Sequence, residues 1–438
     1  MNKNIFGTDG IRGIFGKFPF TSPIIIQLGN AIGKWIIKKY GSQSTVLLGH
    51  DTRISCATLK TALQAGLLLH PLKIYDTQIV PSPALASILK NKEKFNCAIM
   101  ISASHNPYYD NGIKIMNKQS GKLSASDEET ITKYFLNEQS WNYNNLGSLF
   151  SESLQEVYIE HILSYFPPNF LKGKKIVLDC AHGATYIIAP QIFEKLGAQV
   201  IPLSNTPNGL NINKKCGTLY PNNLRKAVIQ YKADIGFAFD GDGDRVIAVN
   251  AQGDYKNGDD ILALLLSHPQ YIHENMIVGT IMTNKAFEIF LKKQNKILMR
   301  TQVGDKYITE QLLQHNLYLG GEPSGHIIMR DYLPTGDGIF TTLRILETIY
   351  KTNNWEMITF SKFPQIQMAI PVNNKKDLDQ PPFSDIITTS KTQLHEGRLV
   401  IRYSGTEPVL RIMVEDDDSQ HAEYICTNLS KKLQQELS

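Results

Sequence analysis

Residues 233–249 read ADIGFAFDGDGDRVIAV. The apolar runs at 233–239 and 246–249 predict two strands, and between them three carboxylates alternate with glycines. Carboxylates spaced by two residues repel one another, so this loop is stable mainly when a hard divalent cation takes their oxygens. The glycines let the backbone turn tightly enough to aim all three acids at one point. The candidate metal ligands are Asp240, Asp242 and Asp244.

Arg245 closes this loop with a planar cation that suits phosphate. A metal site that also handles phosphate is therefore the first interpretation, and a solvated acidic turn in a β-hairpin is the alternative. A calcium-binding EF-hand does not fit. That motif requires glycine at its sixth position and glutamate at its twelfth, where this chain has Arg245 and Ala251.

Bulk composition indicates a globular protein and argues against a nucleic-acid or membrane partner. The chain has 438 residues, of which 42% are hydrophobic and 20% charged, so we expect three or four domains. A net charge of +4 without a basic block argues against a nucleic-acid partner. No signal peptide or long apolar stretch is evident, so we expect a cytoplasmic protein. Its five cysteines lack CxxC spacing, which argues against disulfides or a zinc site.

Strand and helix patterns alternate along most of the chain, which predicts parallel sheets covered by helices. The fold class is α/β, with three consecutive mixed α/β domains and a smaller C-terminal α+β domain arranged around a central cleft. The expected domains are 1–149, 150–250, 251–364 and 365–438. The expected linkers are 137–148, 249–253 and 361–367.

Loops that follow strands gather at one edge of an α/β sheet, where ligands bind. The loop SASHNP at 102–107 follows an apolar strand at 97–101, which makes Ser104 a candidate nucleophile or phosphate carrier. An ordinary turn or helix cap is the alternative. Lys114 lies close enough in sequence to reach the same loop.

Two further loops carry polar groups out of proportion to their length. The loop GGEPSGH at 320–326 offers Glu322 and Ser324 for sugar hydroxyls and His326 as a general acid or base. The loop RYSGTEP at 402–408, with an arginine three residues later, forms a candidate phosphate cup. The residues of this cup are Arg402, Ser404, Gly405, Thr406 and Arg411.

The four loops together resemble the α-D-phosphohexomutase superfamily, in order and spacing, from the first residues to nearly the last. The resemblance implies that Ser104 carries a covalent phosphate. It also implies that one Mg²⁺ per subunit is held by the three aspartates and Ser104, and that a hexosamine 1,6-bisphosphate activates the enzyme. Arg12, Lys114, Arg245 and His326 are nominated as catalytic. The implied partner is a small sugar phosphate, and a homodimer is left open.

The opening FGTDGIRG at 6–13 resembles the bacterial branch that interconverts glucosamine 6-phosphate and glucosamine 1-phosphate for UDP-N-acetylglucosamine and cell-wall precursor synthesis. Two departures bear on this. Pro323 replaces the glutamine usual in the sugar-reading loop, and Lys306 replaces an arginine. The alternative is a phosphomannomutase/phosphoglucomutase of the same superfamily. A remote alternative is an aspartyl-phosphate phosphatase with Asp240 as nucleophile, but Asp244 stands where such enzymes have threonine or valine.

Overall fold

The computed structural model describes residues 5–7, 9–118, 121–137, 145–404 and 408–437. The chain forms two compact units, and each consists of two stretches of chain. Unit 1 comprises Met1–Glu274 and Gly304–Ile358, and unit 2 comprises Asn275–Val303 and Thr359–Ser438. Along the described ranges, no helix is both long and apolar enough to cross a membrane.

The first sheet of unit 1 has six strands in the order β1-β5-β4-β2-β3-β6. Its centre is parallel, since β2 pairs with β3 and β4, whereas β5 runs antiparallel to β4 and β1. Central strands buried on both faces favour continuous apolar residues, as β4 has in CAIMI. The strands are β1 (Ile11–Ile14), β2 (Thr45–His50), β3 (Lys73–Ile79), β4 (Cys97–Ile101), β5 (Asp110–Asn117) and β6 (Ser148–Ser151).

Helices cover this sheet. The longest of them, Ser22–Tyr40, has a proline in its first turn. That helix ends at Tyr40 and is capped by Gly41, whose φ of 94° an L-residue rarely adopts. Its buried side chains Ile25, Leu28, Ile32 and Ile36 recur at helical spacing and pack in the core. The helices are α1 (Ser22–Tyr40), α2 (Cys56–Leu67), α3 (Ser82–Asn91), α4 (Ala125–Leu136) and α5 (Gln155–Leu163).

The second sheet of unit 1 has the order β11-β10-β9-β7-β8. Strands β7, β8 and β9 are parallel, and β10 turns back antiparallel on β9. The loop at 240–245 joins β9 to β10. The elements are β7 (Lys175–Asp179), α6 (Ile188–Lys195), β8 (Gln199–Leu203), α7 (Asn222–Tyr231), β9 (Ile235–Phe239), β10 (Val246–Asn250) and β11 (Tyr255–Lys256).

Unit 1 is completed by three helices and an antiparallel strand pair. Asn257 and Asp260 form a capping box at the start of the first of these helices, and the Asp337 side chain caps the last. The strand pair carries the loop that holds Glu322 and His326. The elements are α8 (Gly258–Leu265), α10 (Asp305–Gln314), β14 (Leu319–Gly321), β15 (Ile327–Met329) and α11 (Gly338–Thr352).

Unit 2 contains a parallel strand pair and an antiparallel sheet in the order β16-β18-β17. Its final helix packs Ile425, Leu429 and Leu433 into the same core as β18 residues Leu410, Ile412 and Val414. The elements are β12 (Met276–Thr280), α9 (Lys285–Lys293), β13 (Ile297–Thr301), β16 (Gln365–Pro371), α12 (Phe383–Thr392), β17 (Arg398–Tyr403), β18 (Val409–Glu415) and α13 (Ser419–Leu437).

The α/β class is confirmed. The parallel pairing that the strand–helix alternation predicts is present at the centre of both large sheets but does not extend through them. Both large sheets are mixed, because β5 and β10 each return through a short connection that cannot accommodate a crossover helix. The division at 149, 250 and 364 stays a prediction.

Candidate active site

The three aspartates of the 240–245 loop are buried. Asp240 and Asp242 are 0% exposed and Asp244 is 6% exposed, and one oxygen of each lies within 4.8 Å of the others. Backbone N–H groups of Ala184, Ser82 and Gly338 donate to carbonyls of this loop and hold it in place. The solvated-turn alternative is therefore wrong: the loop does join two antiparallel strands, but its acids are enclosed by neighbouring segments.

The environment of the loop shifts the pKa values of Asp240 and Asp244 in opposite directions. Burial and the neighbouring Asp244 and Asp242 carboxylates raise the pKa of Asp240 well above its ordinary value. Burial also tends to raise the pKa of Asp244, but Lys114 and His326 outweigh it and hold this pKa well below its ordinary value. Asp242 Oδ1 is buried and has no hydrogen-bond partner among the described residues. An unsatisfied buried carboxylate oxygen beside two other carboxylates fits a hard divalent cation.

Lys114 lies in β5, paired with Met100 of β4, and reaches the aspartates from the neighbouring sheet. Its Nζ is 3.0 Å from Asp242 Oδ2, 3.2 Å from Asp244 Oδ2 and 3.1 Å from Asp9 Oδ2. Burial would lower the pKa of Lys114, but these three carboxylates outweigh it and raise the pKa well above the ordinary value. The side chain is therefore a persistent cation.

Ser104 follows β4 and faces the same aspartates. Its Oγ donates to Asp240 Oδ2 at 2.5 Å, and its N–H donates to Ser102 Oγ at 2.9 Å. Its φ of 50° lies in the left-handed region, which is unfavourable for a residue with a side chain. Burial, followed by the Arg245 cation, lowers the pKa of the adjacent His105 to about 3, so that imidazole is neutral. The expected nucleophile and the expected metal loop thus meet.

Asp9 connects the cations of this site, and the sequence reasoning missed it. Its Oδ2 accepts from Arg12 Nη2 at 2.5 Å, and its Oδ1 lies 3.0 Å from Lys122 Nζ. Burial tends to raise the pKa of Asp9, but Lys114, Lys122 and Arg12 together lower it well below the ordinary value. The signal was its place in FGTDGIRG, two residues before the strand that carries Arg12.

The β14–β15 loop joins the same group of residues. Glu322 Oε1 accepts from the Gly304 N–H at 2.9 Å, and Ser324 Oγ donates to Glu322 Oε2 at 3.2 Å. His326 is 2% exposed, with Nδ1 3.7 Å from Asp244 Oδ1 and Nε2 3.1 Å from the Gly336 nitrogen. Burial would lower the pKa of His326, but Asp244 outweighs it and raises this pKa. Both ring nitrogens therefore face protein groups.

A pocket opens beside these residues in unit 1. It is lined by charged side chains of both signs, a composition that suits a polar, phosphorylated ligand. Lys306, the departure noted in the sequence, is one of the lining residues, and its Nζ lies 3.8 Å from Glu128 Oε2. The charged lining residues are Asp9, Lys114, Lys122, Glu128, Asp244, Asp305 and Lys306.

The fourth predicted loop belongs to unit 2. Arg402 on β17 lies directly opposite Arg411 on β18, and both line one cleft of that unit. Burial and the Arg411 charge lower the pKa of Arg402. Two guanidinium groups on the lining of one cleft suit a phosphate, because each can donate two hydrogen bonds to it. Ser404 is buried, whereas Gly405 and Thr406 lie outside the described residues.

Comparison with known sequences assigns the family. Sequence profiles of the phosphoglucomutase/phosphomannomutase α/β/α domains I, II and III match residues 3–141, 156–253 and 257–361, and the C-terminal domain profile matches 367–432. The chain belongs to this phosphohexomutase family, which is a family of isomerases.

Curated relatives are similar over nearly the whole chain. Phosphoglucosamine mutase of Acinetobacter baylyi is 41% identical and covers 98% of each chain. Phosphoglucosamine mutase of Lawsonia intracellularis is 38% identical, over 99% of this chain and 100% of its own.

Solved structures share the fold. A phosphoglucomutase/phosphomannomutase family protein of Burkholderia thailandensis has a TM-score of 0.80 at 21% identity and covers 99% of this chain and 98% of its own. Aspergillus fumigatus N-acetylphosphoglucosamine mutase, solved with GlcNAc-6P and magnesium, has a TM-score of 0.69 at 16% identity, with 99% and 96% covered.

Proposed function

We propose that this protein is a phosphoglucosamine mutase that interconverts glucosamine 6-phosphate and glucosamine 1-phosphate. The observation that carries the proposal is the 2.5 Å contact of Ser104 Oγ with Asp240, inside a buried cluster of three carboxylates. The sugar follows from the curated phosphoglucosamine mutases, which are similar along their full length.

In the proposed reaction, Ser104 carries a phosphoryl group between turnovers. Its P–Oγ bond breaks while a P–O bond forms to a free hydroxyl of the sugar phosphate, and the hydroxyl proton passes to Ser104 Oγ. The resulting hexosamine 1,6-bisphosphate then turns end for end and returns its other phosphoryl group to Ser104. The same bisphosphate, added from outside, serves as activator because it phosphorylates the free serine.

Asp240, Asp242 and Asp244 are the proposed ligands of one Mg²⁺, together with a phosphate oxygen on Ser104. Hard oxygen donors suit this ion, and the unsatisfied Asp242 Oδ1 supports the assignment. When bound, the ion supplies positive charge that offsets the charge developing on the transferring phosphoryl group.

Lys114, Arg12 and Arg245 are proposed to stabilise phosphate charge by direct contact. Burial tends to lower the pKa of Arg245, but Asp244 and Asp240 outweigh it and raise this pKa, so Arg245 stays cationic as Lys114 does. A lysine with a raised pKa is a poor general base. His326 Nδ1 lies 3.7 Å from Asp244 Oδ1, and the proposed role of His326 is to orient this carboxylate.

Recognition of the sugar phosphate is divided between two loops in this proposal. Glu322 accepts hydrogen bonds from sugar hydroxyls, and Ser324 donates a hydrogen bond to a sugar hydroxyl. Arg402 and Arg411 of unit 2, with Ser404, Gly405 and Thr406, bind the phosphate that is not being transferred. The cross-strand placement of the two arginines on the lining of one cleft supports this assignment, because two guanidinium groups there can donate to one phosphate.

The test is a comparison of kcat/KM for glucosamine, glucose and mannose phosphates after activation with the matching bisphosphates. Glucosamine 6-phosphate is expected to be the best substrate. A higher kcat/KM for mannose 1-phosphate would overturn the sugar assignment and favour a phosphomannomutase/phosphoglucomutase. Absence of turnover with every sugar phosphate would overturn the proposed mutase activity.

A further inference from the structure

The β2–α2 loop lies next to the loop that carries Ser104 and contains a buried ion pair. Strands β2 and β4 are parallel neighbours, with His50 opposite Ile101, so the segments that follow them lie side by side. Arg53 Nε is 2.8 Å from Asp51 Oδ2, and both side chains are 0% exposed. The nominated site residues do not include either of them.

Arg53 directs its guanidinium onto the backbone of the Ser104 loop. Nη2 donates to the carbonyl oxygens of Ser104 and Asn106, at 3.0 and 2.9 Å. Nη1 donates to the carbonyl oxygens of Pro107 and Asp110. A guanidinium has five N–H donors. Together with Nε on Asp51, all five are engaged, which leaves no donor for a substrate.

Asp51 continues the connection to the amide side of Ser104. Its Oδ2 accepts from Ser102 Oγ at 2.7 Å, and Ser102 Oγ in turn accepts from the Ser104 N–H at 2.9 Å. Arg53 therefore holds the carbonyl of Ser104, and Asp51 holds its amide through Ser102. These contacts act on both sides of a residue whose φ of 50° is otherwise unfavourable.

We propose that Arg53, paired with Asp51, is a positioning residue that fixes Ser104 in the conformation required for phosphoryl transfer. The inference rests on the proposed function of Ser104. A buried ion pair is costly to desolvate and contributes little net stability compared with apolar residues of similar size. Four of the five hydrogen bonds of the Arg53 guanidinium go to backbone carbonyls within residues 104–110, so its main effect is on the geometry of that loop. Transfer rates depend strongly on such geometry.

The experiment compares Arg53→Lys with the wild-type enzyme. Lysine keeps the charge and loses the planar set of donors. The expected result is a fall in kcat of about 100-fold with KM for the sugar phosphate changed less than about threefold. Transfer from glucose 1,6-bisphosphate to Ser104, followed by intact mass, should slow in parallel. Amide hydrogen exchange should accelerate at 102–110 and stay unchanged in β7–β10.

Arg330→Lys is the matched control, because Arg330 also donates to a backbone carbonyl, that of Leu317. It should retain kcat within about twofold. Ser102→Ala is a second, milder variant that breaks the connection between Asp51 and the Ser104 amide. It should lower kcat about tenfold without changing KM.

The outcomes separate the two proposals. If the wild-type serine accepts no phosphoryl group, the proposed function is wrong and the role of Arg53 falls with it. If the wild type accepts one and both variants do so at the same rate, the positioning role alone is wrong. Exchange that accelerates throughout unit 1 of Arg53→Lys, with normal kinetics in Ser102→Ala, would also overturn it, because Arg53 would then act only in stability.

Discussion

Replacing Asp337 with asparagine removes a buried carboxyl group from the N-terminal end of α11. Tyr158 donates to Oδ1 and Oδ2 of Asp337 at 3.0 and 2.9 Å, and Tyr332 donates to Oδ2 at 3.1 Å. The Phe340 N–H donates to Oδ1 at 3.0 Å. Burial is the largest effect and raises the pKa of Asp337 to about 6, although these donors favour the ionised form.

The raised pKa predicts a definite dependence of stability on pH. Between the unfolded value of 3.8 and the folded value of about 6, the native chain keeps a proton that the unfolded chain has released. The free energy of unfolding therefore falls as pH rises through this window and is constant above it. A difference of about 2 pKa units corresponds to roughly 3 kcal/mol.

The assay is urea-induced unfolding followed by circular dichroism at pH 4, 5, 6, 7 and 8. The quantity to plot is the free energy of unfolding of the wild type minus that of Asp337→Asn, because all other titrating groups are common to both. It should fall by roughly 2–3 kcal/mol between pH 4 and pH 7. The same difference for Glu310→Gln, at an exposed position of α10, should stay within about 0.5 kcal/mol. A flat or rising curve for Asp337→Asn would show that the tyrosine hydrogen bonds outweigh burial.

Three further predictions concern the site. Ser104→Ala should eliminate both turnover and the phosphate adduct seen by intact mass, and an adduct that persists elsewhere would contradict the scheme. Asp242→Asn should lower kcat at least about 100-fold, with no recovery in excess magnesium, whereas Asp254→Asn should not. Arg411→Ala should raise KM for the sugar phosphate about tenfold or more, because a charge-assisted phosphate contact is lost. An unchanged KM in Arg411→Ala would exclude the cleft of unit 2 as a phosphate site.

The sequence predicted the elements whose pattern is local. Strand β4 has the bounds expected from the apolar run at 97–101, because a short apolar run between polar turns is diagnostic by itself. The 19-residue helix α1 was missed. Its run Ile24-Ile25-Ile26 favours a strand by composition, and packing against α2 decides the helix. The strand–helix alternation did not predict that β5 and β10 pair antiparallel, because strand direction depends on the length of the connection.

The sequence nominated the site residues with distinctive chemistry, but it did not nominate the residues that contact them and hold them in position. Ser104, the three aspartates and Lys114 come together as the motifs suggested. Asp9 and Arg53 were not nominated. Asp9 lies in the FGTDGIRG motif but was not singled out from it, and Arg53 is an isolated arginine with no periodic or spacing signal. Their importance appears only when the carbonyls and cations that they contact are known.

The two-stretch construction of unit 2 has a consequence for synthesis on the ribosome. Of unit 2, residues 275–303 emerge from the ribosome first. A segment of unit 1, Gly304–Ile358, follows, and the rest of unit 2 emerges only after it. Arg398 of β17 donates to the carbonyls of Ile281 and Thr283, so these two contacts form only with a residue made more than a hundred residues later. A nascent chain that stalls before Arg398 would carry all residues of unit 1 but only part of unit 2. Such a chain would be a natural target for chaperones and proteases.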